Sequence, residues 1–152
     1  MIELKKAKLS DIANMQNLIK DEVEKGTILP RSDDEIASYI RSYTLAFYNG
    51  KLAGFASLKI FNANLAEVRS LIVSPNFQKL GIGRKIVNEL INEAKFYGLK
   101  QVFALTYQKG FFEKVGFKEI SKEELPAQKI WADCIKCKKF PVCNEVAVIY
   151  TL

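Results

Sequence analysis

The sequence predicts a mixed α/β domain, with a hairpin meander followed by alternating helices and strands. Three observations carry this. Two stretches, Ile12-Met15-Ile19-Val23 and Ile86-Val87-Leu90-Ile91-Ala94, hold apolar residues at helical spacing. Leu45–Tyr48 and Lys51–Phe61 flank Asn49-Gly50, a dipeptide suited to a type I′ hairpin turn. The β-branched run VRSLIVSP leads into QKLGIGRK, whose glycines open the second helical stretch. A length of 152 residues suits one domain with its own core, and 49% hydrophobic with 26% charged residues is globular composition. Residues 1–152 are therefore read as a single domain.

The elements follow in order. Ile2–Lys6 reads as a short strand. Ser10 is placed to cap the first helix and Gly26 to end it. In TILPRSDDEI, Ser32 and Glu35 form an S-x-x-E capping box, so a second helix starts there. Asp33 and Asp34 then fall in its electropositive first turn. After the hairpin and a turn at Asn62–Asn64, Leu65–Val73 is the third strand of the meander. A helix runs from about Arg84 to Tyr97, with Gly98 as its C-cap. Lys100–Thr106 is a strand, and Lys109–Val115 a short helix stopped by Gly116. Phe117–Ile120 and Glu145–Tyr150 are the last strands. Residues 121–144 between them form a cysteine-containing excursion.

Bulk properties exclude several functions. The chain has no histidine, so Ser/His and Cys/His nucleophile pairs and His-containing metal sites cannot exist. A general base must be a carboxylate, a tyrosine, a lysine or water. The net charge of +6 comes from scattered lysines, which serve solubility; no nucleic-acid motif or basic stripe accompanies them. Apolar runs such as Leu71–Val73 are too short to span a membrane, and MIELKKAKLSD lacks the apolar core of a secretory signal. The expectation is a soluble cytoplasmic protein that engages neither membrane nor nucleic acid.

A strand, a glycine turn and a helix commonly hold a phosphate. QKLGIGRK lacks the spacing and the Gly-Lys-Ser/Thr ending of a Walker loop. It lacks the third glycine of a dinucleotide fingerprint, since position 86 is Ile. The pattern left is Q-x-x-G-x-G, with Gln78, Gly81 and Gly83. Absent Cβ atoms at Gly81 and Gly83 would let the backbone approach a phosphate, with N–H groups from Lys79 to Arg84 turned toward it.

With VRSLIVSP before it and GFFEKVGF after it, this pattern resembles the GNAT superfamily of acetyl-CoA-dependent N-acetyltransferases over Ile2 to about Ile120. The resemblance implies a mostly antiparallel mixed sheet, splayed around acetyl-CoA and flanked by helices. It implies that Gln78, Lys79, Leu80, Gly81, Ile82, Gly83 and Arg84 hold the pyrophosphate. The backbone of Leu71, Ile72 and Val73 would pair with the pantetheine arm and donate an N–H to the thioester oxygen. Glu67, in LAEVRSLIV, resembles the glutamate that several members use as base; a solvated glutamate at a strand start is the plainer alternative. Arg69 shares a strand face with Glu67, where the two can pair or both face the acceptor. Many relatives place an acidic tyrosine where Phe112 stands. Phe112 is counted with the cofactor-binding residues but has no proton to give, and Tyr107 is the nearest substitute.

The segment TILPRSDDEI further resembles the acetyltransferase domain of N-acetylglutamate synthases. That resemblance implies a carboxylate-binding role for Arg31, whose guanidinium suits bidentate pairing. With AEVRSLIVSP, LTYQKGFFEKVGF and the Trp131–Cys143 tail, the chain looks like the short, single-domain form. The implied reaction acetylates the α-amine of L-glutamate, the first step of arginine biosynthesis, without an arginine feedback site. Other amines, or a non-catalytic acyl-CoA-binding module, are the rivals, and a homodimer stays open. Cys134, Cys137 and Cys143 invite zinc but offer three ligands, with Asp133 or Glu145 as a fourth. Free thiols or a redox-sensitive pair are the alternatives, and no metal is assigned.

Overall fold

The structure, a computed structural model, describes residues 1–125 and 145–152. The described elements are β1 (Ile2–Lys6), α1 (Ile12–Glu24), α2 (Asp33–Ser38), β2 (Tyr43–Tyr48), β3 (Lys51–Ile60) and β4 (Leu65–Val73), followed by α3 (Ile82–Tyr97), β5 (Gln101–Thr106), α4 (Lys109–Val115), β6 (Lys118–Ile120) and β7 (Val146–Thr151). The strands form one mixed sheet in the order β1-β2-β3-β4-β5-β7-β6. All neighbouring pairs are antiparallel except β4 with β5.

Local chemistry explains most boundaries. Asn49 and Gly50 carry φ of 50° and 85°, the left-handed pair that a type I′ turn demands. Ser32 Oγ accepts from Glu35 N–H and Glu35 Oε1 accepts from Ser32 N–H, so the expected capping box forms. The Ser10 cap does not. A 3-10 turn at Leu9–Asp11 precedes α1, and the Asp11 carboxylate accepts from Lys8 N–H at 2.8 Å. That tighter turn starts two residues early, so Ser10 lies inside it rather than at the helix end.

Each sheet face has its own core. On one face, α3 and α4 bury Ile82, Ile86, Val87, Leu90, Ile91, Ala94 and Phe112 against Ala66, Val68, Val102 and Val148. On the other, Met15 and Ile19 of α1 and Ile36 of α2 pack on Tyr43, Leu45, Phe55 and Ile72. A buried apolar side chain of this size is worth about 1.5–3 kcal/mol, so both layers are firmly seated. Among the described residues no helix is long and apolar enough to cross a membrane.

Candidate active site

The site begins at an irregularity in β4. Phe55 pairs with Ile72 and Ser57 with Arg69, so Ser70 and Leu71 together face the single residue Ala56. This is a β-bulge, and Ser70 takes a φ of 56° to make it. The bulge reverses the side-chain alternation. Before it, Ala66 and Val68 face α3; after it, Leu71 and Val73 pack on that side and Ile72 joins the α1–α2 core. Glu67 and Arg69 therefore face the α1–α2 side.

The bulge lies beside a gap. β4 pairs with β5 at Leu65–Gln101, Ala66–Val102 and Glu67–Phe103 and, among the described residues, no further. β5 continues along β7 to Thr106 instead. The sheet thus opens just past Glu67, and the β4 backbone of Leu71, Ile72 and Val73 follows along the opening. A thin extended ligand can enter such a gap and find backbone donors and acceptors there.

Side chains around the opening are polar yet withdrawn from solvent. Glu67 is 2% exposed and Arg69 is 7% exposed, which sets aside the reading of Glu67 as a solvated strand-start residue. Lys59 on β3 lies directly across from Glu67, and Phe103 lies across on β5. Phe103 stacks with Phe61 at 5.7 Å, and Lys59 Nζ lies 5.0 Å from the Phe61 ring centre and 5.8 Å from that of Tyr39. Of these rings Phe103 is buried, while Tyr39 stays exposed. Two cationic residues flank one buried carboxylate, an arrangement that suits a ligand carrying carboxylates and an amine. Lys59 escaped the sequence reading. Its signal was its register opposite Glu67, which a single strand does not reveal.

At the end of β4 the chain turns through Pro75–Phe77 and enters α3. Gln78 Nε2 donates to the Val73 carbonyl at 3.4 Å, and Phe77 stacks on Tyr48 at 5.5 Å. Lys79 and Gly81 both take left-handed φ, 68° and 78°. Alternation of this kind curls successive N–H groups inward. The first bond of the helix runs from Lys85 N–H to the Gly81 carbonyl at 3.1 Å, so the N–H groups of Ile82, Gly83 and Arg84 project from the helix end. Gln78, Lys79, Leu80, Gly81 and Arg84 are exposed around this end, while Ile82 is buried beneath it.

The two glycines do different things. A Cβ at Gly81 would meet nothing within 4 Å, so its need is the positive φ. A Cβ at Gly83 would lie 3.3 Å from the Phe111 ring and 3.5 Å from Val73 Cγ2, so its need is close packing. Phe111, not singled out from the sequence, is what seats α4 against the N-terminal end of α3. Its neighbour Phe112 is 3% exposed and stacks between Phe111 and Phe117, inside the α3 core. Tyr107, just beyond β5, is 38% exposed.

Arg31 arrives from the loop between α1 and α2, the helices that cover the Glu67 face. Its side chain is only 10% exposed, with Nη1 3.9 Å from Glu35 Oε2. It lines a cavity of about 230 Å³ with Gln16, Ile19, Lys20 and Pro30. Cys134, Cys137, Cys143, Asp133 and Trp131 lie outside the described residues. Among the described residues no three acidic or sulfur ligands cluster in a way that could hold a metal.

The acetyltransferase (GNAT) family model matches residues 11–117. An uncharacterized N-acetyltransferase of Chlorobaculum tepidum is 37% identical over 149 residues, 98% of this chain and 96% of its own length. The amino-acid acetyltransferase of Neisseria meningitidis is 32% identical over 127 residues, which are 82% of this chain but 29% of that protein. N-acetylglutamate synthase from Neisseria gonorrhoeae, solved with coenzyme A and N-acetyl-glutamate, superposes with a TM-score of 0.90 at 27% identity. The match covers 100% of this chain and 35% of that one, so the chain corresponds to about a third of the longer enzyme.

Proposed function

Because this chain belongs to the GNAT family of acetyltransferases, we propose that it moves the acetyl group of acetyl-CoA to the α-amine of L-glutamate. The carrying observation is the buried Glu67 at the mouth of the β4–β5 opening, flanked in register by Lys59 and on its own strand by Arg69. The likeness to amino-acid acetyltransferases and to an N-acetylglutamate synthase supports an amino-acid acceptor. In this reading the pyrophosphate rests on the loop from Gln78 to Arg84 and the end of α3. The pantetheine arm runs along Leu71–Val73. Phe112 acts from the core by holding Phe111 and, through it, Gly83.

The acceptor's nitrogen attacks the thioester carbon while Glu67 takes its proton, directly or through water. Negative charge builds on the thioester oxygen, where a β4 backbone N–H stabilises it. The C–S bond then breaks, and Tyr107 supplies the proton for the departing thiolate. Arg31 and Arg69 orient the acceptor's carboxylates, which brings the amine into line. The products are N-acetylglutamate and coenzyme A, the entry to arginine biosynthesis in a cytoplasmic setting.

The test is thiol release from acetyl-CoA across a panel of amino acids, a polyamine and an N-terminal peptide. Glutamate is expected to exceed every other acceptor. A different preferred amine would keep the cofactor assignments and discard the role of Arg31. Coenzyme A binding without turnover on any acceptor would favour a non-catalytic module.

A further inference from the structure

We propose that Gln16 is a positioning residue for the acceptor, acting by clamping the loop that carries Arg31 onto α1. The proposal rests on the reading of Arg31 given above. The loop is tied at both ends. At its start, Thr27 N–H and Ile28 N–H donate to the Glu22 carbonyl at 3.0 and 3.4 Å. At its end, the Ser32–Glu35 capping box locks the entry to α2. Between these ties lie Pro30, which has no N–H, and Arg31.

Gln16 ties this stretch to α1. Its Nε2 donates to the Arg31 carbonyl at 2.8 Å and to Asp33 Oδ1 at 3.0 Å. Both partners are oxygens that can only accept, so chemistry fixes the amide with its nitrogen toward the loop. One side chain therefore grips the backbone of Arg31 and the first residue of α2 together. The same stretch borders the 230 Å³ cavity through Pro30 and Arg31. Removing the amide takes away both bonds that tie the Arg31 carbonyl and the Asp33 carboxylate to α1, and a shift of about 1 Å is enough to misplace a binding group.

The test is a double-mutant cycle on the intact chain with Gln16→Leu, Arg31→Ala and both together. Gln16→Leu is expected to raise the glutamate Michaelis constant about three- to ten-fold, the value of one ordinary hydrogen bond, and to leave that for acetyl-CoA unchanged. In the Arg31→Ala background the same substitution should add nothing. Gln16→Glu, which keeps the length but swaps donors for acceptors, should act in the same direction and guards against a folding artefact. Additive effects, or equal rises in both Michaelis constants, would overturn the clamp alone. No effect of Arg31→Ala on glutamate would overturn the acceptor reading and the clamp with it.

Discussion

Glu67 concentrates the question at the scale of one residue. A carboxylate in a strand interior is costly unless its surroundings compensate, and here Lys59 and Arg69 stand beside it. If it serves as base, Glu67→Gln keeps the shape and removes the proton acceptor. The expected result is a fall in kcat of about 10²-fold or more, with the acetyl-CoA Michaelis constant nearly unchanged. Steady-state kinetics checks this, and an unchanged kcat would reduce Glu67 to a structural ion. Spacing alone made Glu67 and Arg69 visible as a pair on one face. It did not show that they were buried, because the neighbouring strands and the helices packed on that face are placed by the fold. For the same reason Lys59 and Gln16 went unread, since each matters through a partner that only the fold supplies.

At the scale of elements, β3 and β4 together shape the opening. Strand boundaries were legible, and Leu65–Val73 appears as expected, because apolar content and turn chemistry are local. The bulge was not legible, since nothing in Val68-Arg69-Ser70-Leu71 signals a left-handed serine. Gly54 shows how tightly the pair is fitted there. A Cβ on Gly54 would lie 2.6 Å from the Ile72 carbonyl oxygen and 3.3 Å from Val73 Cα. Both neighbours are backbone, so the strand must move. Gly54→Ala is expected to cost about 1–3 kcal/mol of stability by overpacking. It should also raise the acetyl-CoA Michaelis constant more than the acceptor's, because the displaced backbone is the one assigned to pantetheine. Denaturant melts and paired Michaelis constants measure the two effects. Stability loss with equal kinetic effects on both substrates would detach Gly54 from the cofactor.

Over the whole molecule, the meander and its helices could be ordered from sequence, but the position of β7 could not. It enters between β5 and β6, a choice set by pairing along Gln101–Thr106 rather than by its own pattern. β7 pairs along the whole of β5 on the edge opposite β4, while β4, among the described residues, stays with β5 only at Leu65–Glu67, which leaves the gap. The gap, the loop from Gln78 to Arg84 and α3 all rest on one core cluster, so ligand binding couples to global stability. A ligand that binds only the folded state stabilises it by about 2.7 kcal/mol at a hundred times its Kd. For a chain of this size that corresponds to a Tm rise of about 5–10 °C. Coenzyme A is expected to produce this shift in a thermal melt, whereas L-glutamate alone, which makes no contact with the loop in the proposed arrangement, should produce much less. A coenzyme A shift that disappears in Gly81→Val, whose side chain cannot adopt the left-handed φ without strain, would tie the effect to the phosphate loop. A shift that survives in that variant would place the pyrophosphate elsewhere and remove the main support for the assigned cofactor site.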